Sequence, residues 1–368
     1  MHAKHLHLLI PFALPSAANG PTLLRDLELP ALEKLLQRAT LVEQHAGDDF
    51  QRTLPHERWL ARQFGLLDSR GGAAGQDEAP LAAHMLLADG GTPGDAIWAC
   101  IEPVHIQIAR DHLVLIDPDT LALEPAEAAR LLADARVLVE ELGLTLAAPN
   151  PLRWYVSGAA LERLASASPL RAAGRSVEIW LPQTLDGAAG ASRRSPFWMK
   201  LQNEVQMAWF EHPVNEAREQ RGQLVANSIW LHSQGALAPL QHPFDAVFAN
   251  APASRGLALA SQASWAPLPA SLAQLASGNP AAAQGSVLLQ FDQLTMPFLH
   301  EDWYTWRHAL QSLEIDWLRP ALAALGAGQL DSLSLTLCGE TRFVTLRIRR
   351  ADLRKFWRRR QFAALLPA

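Results

Sequence analysis

Between His212 and Gly235 the chain reads HPVNEAREQRGQLVANSIWLHSQG, which gathers two histidines, two asparagines and two arginines into twenty-four residues. Arg218 and Arg221, three positions apart, fall on one face of a helical turn, where paired guanidinium groups can hold a phosphate or carboxylate through bidentate hydrogen bonds. His212, Asn215 and Asn227 add neutral donors and acceptors around them. The plainer alternative is a solvated turn in which Glu216 or Glu219 neutralises the arginines. Gly222 and Gly235 interrupt the segment, and Ile229-Trp230-Leu231 reads as a short buried strand, so the chemistry sits on a loop, a strand and a second loop.

The order His-Pro-Val-Asn, Arg, Arg-Gly, Ala-Asn-Ser-Ile-Trp-Leu and a closing Gly resembles the central segment of archaeal-type cofactor-independent phosphoglycerate mutases, in the alkaline phosphatase superfamily. Pro30 to Leu35 resembles the helix after that family's first strand, Ile97 to Asp117 its paired strands, and Leu152-Arg153-Trp154-Tyr155 its strand with a phosphate-facing arginine. A similarity over more of the chain is to the Rpf-type regulatory proteins of proteobacteria, through Pro103-Val104-His105 and a basic C-terminal stretch. The resemblance implies an alkaline-phosphatase-like fold and a substrate-binding set of Arg153, His212, Asn215, Arg218, Arg221, Asn227 and His105. It also implies a divalent metal pair that activates a serine and clamps the phosphoryl group. This sequence departs from that machinery. Pro11-Phe12 stands where the family has Asp-Gly, Pro55-His56-Glu57-Arg58 where it has a Ser-Asp nucleophile motif, and Cys338-Gly339-Glu340-Thr341 where it has Asp-His. Asp292 and His300 are the residual candidate ligands, more widely spaced than the family's pair. The expectation is a catalytically degenerate protein that binds a phosphorylated small metabolite in a sensor or regulatory role. It needs no cofactor on this reading; an active mutase or phosphatase would need Mn or Mg.

Two further constellations carry chemistry. Glu102 and His105 flank Pro103 and could act as an acid–base pair, although Val104, Ile106 and Ile108 suggest a strand in which they are ordinary polar contacts. At the C-terminus, eight Lys or Arg residues lie between Arg347 and Arg360 with Asp352 as the lone acid. On a helix Arg350, Arg354 and Arg358 align at intervals of four, a ridge suited to an acidic partner, nucleic acid or an anionic membrane surface, or else a solvated helix face.

The elements that must position these residues follow from hydrophobic periodicity. His5 to Ile10 reads as a first strand ending at Pro11, and Leu29 to Ala39 as a helix with proline in its first turn. His56 to Phe64 is a further helix. Ser69 to Ala79 is a small, polar loop. Ile97–Ile101, Val104–Ala109 and His112–Ile116 form a meander, and Pro125 opens a helix that Gly143 ends. Leu152–Ser157 and Val177–Leu181 read as strands. Ser195-Pro196 starts a helix burying Trp198, Leu201, Val205 and Trp209. Late in the chain, Val287–Phe291 is a strand, and Trp303–Leu325 a long helix burying Trp306, Leu310, Leu313, Trp317 and Leu318. Leu333–Leu337 and Phe343–Ile348 are paired strands. Together these predict a mixed, mostly parallel α/β sheet covered by helices on both faces, with residues 1–95 and 215–368 as the main domain and 96–214 as a smaller inserted strand-rich lobe.

A content of 49% hydrophobic and 19% charged residues is that of a chain able to bury a sizeable core. The net charge of -5 argues against a global nucleic-acid binder. Two cysteines, Cys100 and Cys338, lie far apart without metal-site spacing, which favours a reducing cytoplasmic compartment and excludes a disulfide scaffold. No apolar run has the length of a membrane span.

Overall fold

The computed structural model describes residues 3–16, 19–67, 78–185, 192–278, 285–355 and 362–365. Its strands are, in chain order, β1 (Ala3–Ile10), β2 (Thr40–Ala46), β3 (Ile97–Ile108), β4 (Leu113–Ile116), β5 (Thr145–Asn150), β6 (Arg153–Ser157), β7 (Leu164–Ala165) and β8 (Gln183–Leu185). They continue with β9 (Ser192–Arg194), β10 (Ser228–Ala236), β11 (Ala246–Phe248), β12 (Ser264–Ala266), β13 (Gly285–Gln290), β14 (Ser332–Cys338) and β15 (Arg342–Arg349). The chain divides into two compact units, one of residues 1–51, 55–64 and 240–368, the other of residues 52–54 and 65–239.

The first unit is built on a seven-stranded sheet in the order β12-β11-β13-β1-β14-β15-β2. β12, β11, β13, β1 and β14 run parallel, and β15 and β2 close the edge antiparallel. Leu8, Leu9 and Ile10 are buried in succession, so β1 is covered on both faces, as helix-flanked parallel sheets require. Polar residues inside this sheet are paired across strands: His7 with Thr336 at 2.8 Å, Thr336 with Thr345 at 2.8 Å, and His5 with Ser332 at 2.7 Å.

The long helix expected from Trp303 is present as Trp303–Leu313 and Arg319–Ala327, joined through a single wider π turn, Glu314–Leu318. All five expected core residues are buried. Pro320 explains the wide turn, because its ring would press on the carbonyl four residues earlier in a regular helix and it has no N–H to donate there. The same turn places Glu314, fully buried, to accept from the backbone N–H groups of Ala31 (2.7 Å) and Leu32 (3.0 Å), the otherwise orphaned donors of the helix Pro30–Arg38.

The second unit is an antiparallel sheet, β10-β3-β6-β5, with β4 pairing the far half of β3, and a small sheet β7-β8-β9. β3 is one twelve-residue strand, not two. Pro103 survives inside it because β6 pairs residues 98–101 and β4 pairs residues 105–108, so the proline lies in the gap where one neighbour ends and the next begins. Helices Pro125–Glu141 and Pro196–Phe210 pack one face of the sheet. Trp198, Leu201, Val205 and Trp209 join Ala99, Ile101, Trp154, Val156, Ile229 and Leu231 in one apolar core.

Two expectations are corrected here. The inserted lobe is not 96–214 but reaches from 65 to 239, because β10 pairs along β3 and the helix Ala82–Ala88 packs on both strands. The segment Val177–Leu181 is not a strand but a 3₁₀ turn, Val177–Ile179. Its carbonyls need no ladder: the Arg52 guanidinium takes those of Ile179, Trp180 and Leu181 at 2.9, 3.2 and 3.4 Å. Among the described residues no helix is long and apolar enough to cross a membrane.

Candidate functional site

The His212–Gly235 segment folds as the helix Pro213–Gln220, a connecting loop and β10. His212 caps the helix, its Nδ1 accepting from Val214 N–H at 3.1 Å, with Nε2 3.6 Å from the Asp134 carboxylate. The loop that follows is held residue by residue. Arg218 Nε donates to Leu224 O (2.6 Å), His105 Nδ1 to Val225 O (2.8 Å), and Asn215 Nδ2 to Ala226 O (2.8 Å), while Asn215 Oδ1 accepts from Ala226 N–H (3.1 Å). Asn227 completes the series by bonding the backbone of Ile106, accepting from its N–H at 2.7 Å and donating to its carbonyl at 2.9 Å.

Arg218 is 1% exposed and also donates to Leu121 O (2.5 Å) and to the Glu127 carboxylate, which Arg221 shares at 2.5 Å. Burial opposes the charge of Glu127, but the Glu124 N–H and the two guanidinium groups outweigh it and hold its carboxyl below the usual range. Arg153 is elsewhere, on β6. Five of the seven expected anion-binding residues, His105, Asn215, Arg218, Arg221 and Asn227, therefore spend donors on the loop 224–227, on its neighbour Gln223, on Ile106 or on Glu127. Glu102 and His105 do not pair. Three residues apart on one strand, they point to opposite faces.

The face of β3 that carries Glu102 is the polar one. Cys100 and Glu102 alternate on it, and β10 sets His232 directly across from Cys100 and Trp230 across from Glu102. On the other side of β3, Tyr155 lies opposite Cys100, with Arg153 on the same face of β6. Asp89, just after the helix Ala82–Ala88, meets this face: Arg153 grips it bidentately, Nε at 3.0 Å and Nη2 at 2.8 Å, and Tyr155 Oη donates to it at 2.5 Å. Burial pushes the Tyr155 phenol up, so it remains a donor.

Cys100, Glu102 and His232 bring one ligand atom each to within 4.8 Å of one another, the grouping of this kind found among the described residues. His232 Nδ1 shares a 2.9 Å hydrogen bond with Ser233 Oγ, while Nε2 is buried, makes no hydrogen bond, and stands 3.7 Å from Glu102 Oε1. Burial works against a charged His232, but Cys100 and Glu102 beside it raise its pKa well above the ordinary value. Since burial also pushes the Cys100 thiol up, the sulfur is neutral near pH 7 and the charge that favours the imidazolium is the Glu102 carboxylate. The strand kinks immediately after. Ser233 has φ +59°, a left-handed conformation uncommon for a residue with a side chain, and the ladder slips between His232 and Gly235. Glu78 holds the kink, accepting from Ser233 N–H with one oxygen and from Ser166 N–H (2.9 Å) and Oγ (2.6 Å) with the other.

Among the described residues of the first unit, where the sequence resemblance implies a metal pair, no three His, Cys, Asp or Glu side chains lie close enough together to share one ion. Phe12 follows β1 at φ +55°, packs on Phe298 (ring centroids 5.0 Å) and His56 (5.8 Å), and receives Trp306 Nε1–H on its carbonyl at 3.0 Å. Asp292, exposed, accepts from Asn250 Nδ2 at 2.9 Å, and His300 caps the end of the short helix Thr295–Leu299. At the C-terminus the expected helical ridge is not formed over the described residues: Arg350–Arg354 is a 3₁₀ turn, tightened because the Asp352 carboxylate takes Arg349 N–H at 2.8 Å and pairs with Lys355. Arg350 and Arg354 are exposed, and Arg358 lies outside the described residues.

No protein-family model and no curated protein matches the sequence. Among solved structures the chain is similar to a cofactor-independent phosphoglycerate mutase from Thermoplasma acidophilum, at 13% identity over 95% of this chain and 90% of that one, with a TM-score of 0.42. It is also similar to the PH0037 protein from Pyrococcus horikoshii, at 14% identity over 95% and 88%, with a TM-score of 0.47.

Of the residues that meet on the polar sheet face, sequence reasoning named Arg153, Tyr155 and Glu102 and printed His232 within the charged segment, but not as one group; it set Cys100 aside for want of metal-site spacing and passed over Asp89 and Glu78. The available signal was the alternation of Cys100 and Glu102 along β3. The register that brings His232 to them is set by residues more than a hundred positions away.

Proposed function

We propose that the protein acts by binding, in a sensor or regulatory role, and not by metal-assisted phosphoryl transfer. The observation that carries this reading is the aromatic packing of Phe12, His56 and Phe298 where the first unit's parallel strands end. Open α/β sheets place ligands and catalytic groups outside the carboxyl ends of their strands. A phosphoryl-transfer site there needs converging carboxylates and imidazoles to hold hard divalent ions, and a phenylalanine ring offers none. The ligand class we assign is a phosphorylated small metabolite, supported by the His212–Gly235 resemblance. Arg221, half exposed and sharing Glu127 with Arg218, is the guanidinium of that segment a solvent anion can reach.

The test uses the full chain with Mn(II), Mg(II) or Zn(II), assayed for mutase and phosphatase turnover with and without chelator, alongside thermal unfolding in phosphorylated three-carbon acids. We expect no chelator-sensitive turnover, and a stabilisation of about 2.7 kcal/mol at a hundredfold excess over Kd that Arg221→Ala removes. Chelator-sensitive turnover, or the same melting curve with and without these acids, would overturn the reading.

A further inference from the structure

We propose that Cys100 Sγ, the Glu102 carboxylate and His232 Nε2 form a binding site for one thiophilic divalent ion of the zinc class, a site in the second unit and independent of the reading above. Three observations carry it. The first is the donor set: a thiol, an imidazole and a carboxylate, each offering one atom within 4.8 Å of the other two. Sulfur and imidazole nitrogen together select zinc or cobalt(II) over magnesium or calcium, which take oxygen. The second is spacing. Bonds of about 2.0–2.3 Å directed tetrahedrally set ligand atoms roughly 3.5 Å apart. His232 Nε2 and Glu102 Oε1 already stand 3.7 Å apart, which is too long for a hydrogen bond and near the span of two ligands on one ion.

The third is a buried nitrogen that makes no hydrogen bond. His232 is 4% exposed, and its Nε2 makes no hydrogen bond although a carboxylate faces it. A buried imidazole nitrogen left without a hydrogen bond is destabilising, and an ion bound at Nε2 would satisfy it. The ring is already aimed, because Ser233 Oγ fixes Nδ1 at 2.9 Å and Glu78 fixes the backbone of Ser233 at its left-handed φ. Zinc sites commonly hold the non-ligating nitrogen of a histidine in this manner.

The neighbouring carboxylate does not compete with Glu102 for His232. Asp89 is occupied by Arg153 and Tyr155, so the carboxylate left facing His232 is Glu102. On binding, the sulfur–metal bond replaces the sulfur–hydrogen bond, the nitrogen–metal bond replaces the Nε2–H bond of the imidazolium, and both protons leave to solvent. Three protein ligands leave a fourth position for water or an exogenous donor. Glu102, with its side chain 17% exposed against 5% for His232, marks the side of entry.

The chain has two cysteines, which makes the test clean. Purified full-length protein, reduced and treated with chelator, is titrated with Co(II) and separately with Zn(II) against a chromophoric chelator. We expect one ion per chain, a thiolate-to-cobalt charge-transfer band in the near ultraviolet, and visible d–d bands of tetrahedral intensity. Cys100→Ser should abolish the band, Cys338→Ser should keep it, and Glu102→Gln should weaken binding by more than about 100-fold, judged against the cost of disturbing even outer-shell partners. Circular dichroism of Cys100→Ser, an isosteric change, separates loss of a ligand from loss of fold; should that variant unfold, the Glu102→Gln affinity and the Cys338→Ser band decide. Absence of stoichiometric metal, or a band that follows Cys338, would overturn the assignment.

Discussion

Replacing His56 by phenylalanine should remove one separable part of the protein's sensitivity to acid. His56 is 6% exposed, its Nδ1 makes no hydrogen bond, and its ring lies edge-on to Phe12 at 5.8 Å. Burial alone lowers its pKa from 6.5 to about 4. The folded state therefore keeps the ring neutral where the unfolded chain takes up a proton. Above the unfolded value neither state is protonated and the group contributes no pH dependence. As pH falls from 6.5 toward 4 the unfolded state gains protons first, and stability is lost through that window. The full shift of 6.5 minus 4 corresponds to about 3.4 kcal/mol, of which about 2.5 kcal/mol is already lost near pH 4.5. Phenylalanine fills nearly the same volume and keeps the aromatic contact without a site to protonate. Urea unfolding of the wild type and His56→Phe, at about pH 7 and about pH 4.5, isolates this contribution from His5, His7 and the carboxylates, which both proteins share. The expected result is a stability difference that grows by about 2.5 kcal/mol in favour of the variant on acidification. Parallel loss in both proteins would refute the reasoning, since it would mean that His56 carries its proton equally well in both states.

Arg218→Met should destabilise by about 3–5 kcal/mol in the same assay, because it strips a buried charge from Glu127 and leaves the carbonyls of Leu121 and Leu224 unpaired; a loss under about 1 kcal/mol would show that the guanidinium is not bracing the loop. Glu314→Gln keeps one acceptor for the two N–H groups at the start of the helix Pro30–Arg38 and weakens its pairing with Arg319, and should cost about 1–2 kcal/mol, with Glu314→Ala costing more. Equal cost for both substitutions would mean that the carboxylate is not the cap.

Periodicity carried the helices well because the burial of a helix face is a local property. Trp198, Leu201, Val205 and Trp209 are all in the core, and the helix Pro125–Glu141 stops before Gly143 at φ +75°, where a side chain would be strained. The failures share a cause. Val177–Leu181 has strand-like composition, but an arginine 125 residues upstream of Val177 satisfies its carbonyls, and nothing within the pentapeptide encodes that. Pro103 read as a break between two strands because a proline cannot serve a ladder, yet it is tolerated where the neighbouring strand changes. The domain boundary moved for the same reason: β10 looks in sequence like the start of a new unit and is in space the partner of β3.

The two sites differ in how composition maps to role. Arginine, histidine and asparagine clustered around glycines are what an anion pocket needs, and they are equally what a long loop needs when it must leave a helix and enter a central strand with its carbonyls satisfied. Sequence cannot separate the two, because a guanidinium binds a phosphate oxygen and a peptide oxygen with the same geometry. What separates them is whether protein acceptors already fill the fork, and for Arg218 they do: Leu121, Leu224 and Glu127 surround it. Cys100, Glu102 and His232 are the opposite case. Nothing in their sequence spacing suggests a ligand set, since one member is 130 residues from the others, but sheet register makes them neighbours and leaves a buried nitrogen without a hydrogen bond. The polar group that protein contacts leave unsatisfied is therefore the stronger pointer to an external ligand than the polar group that merely resembles one.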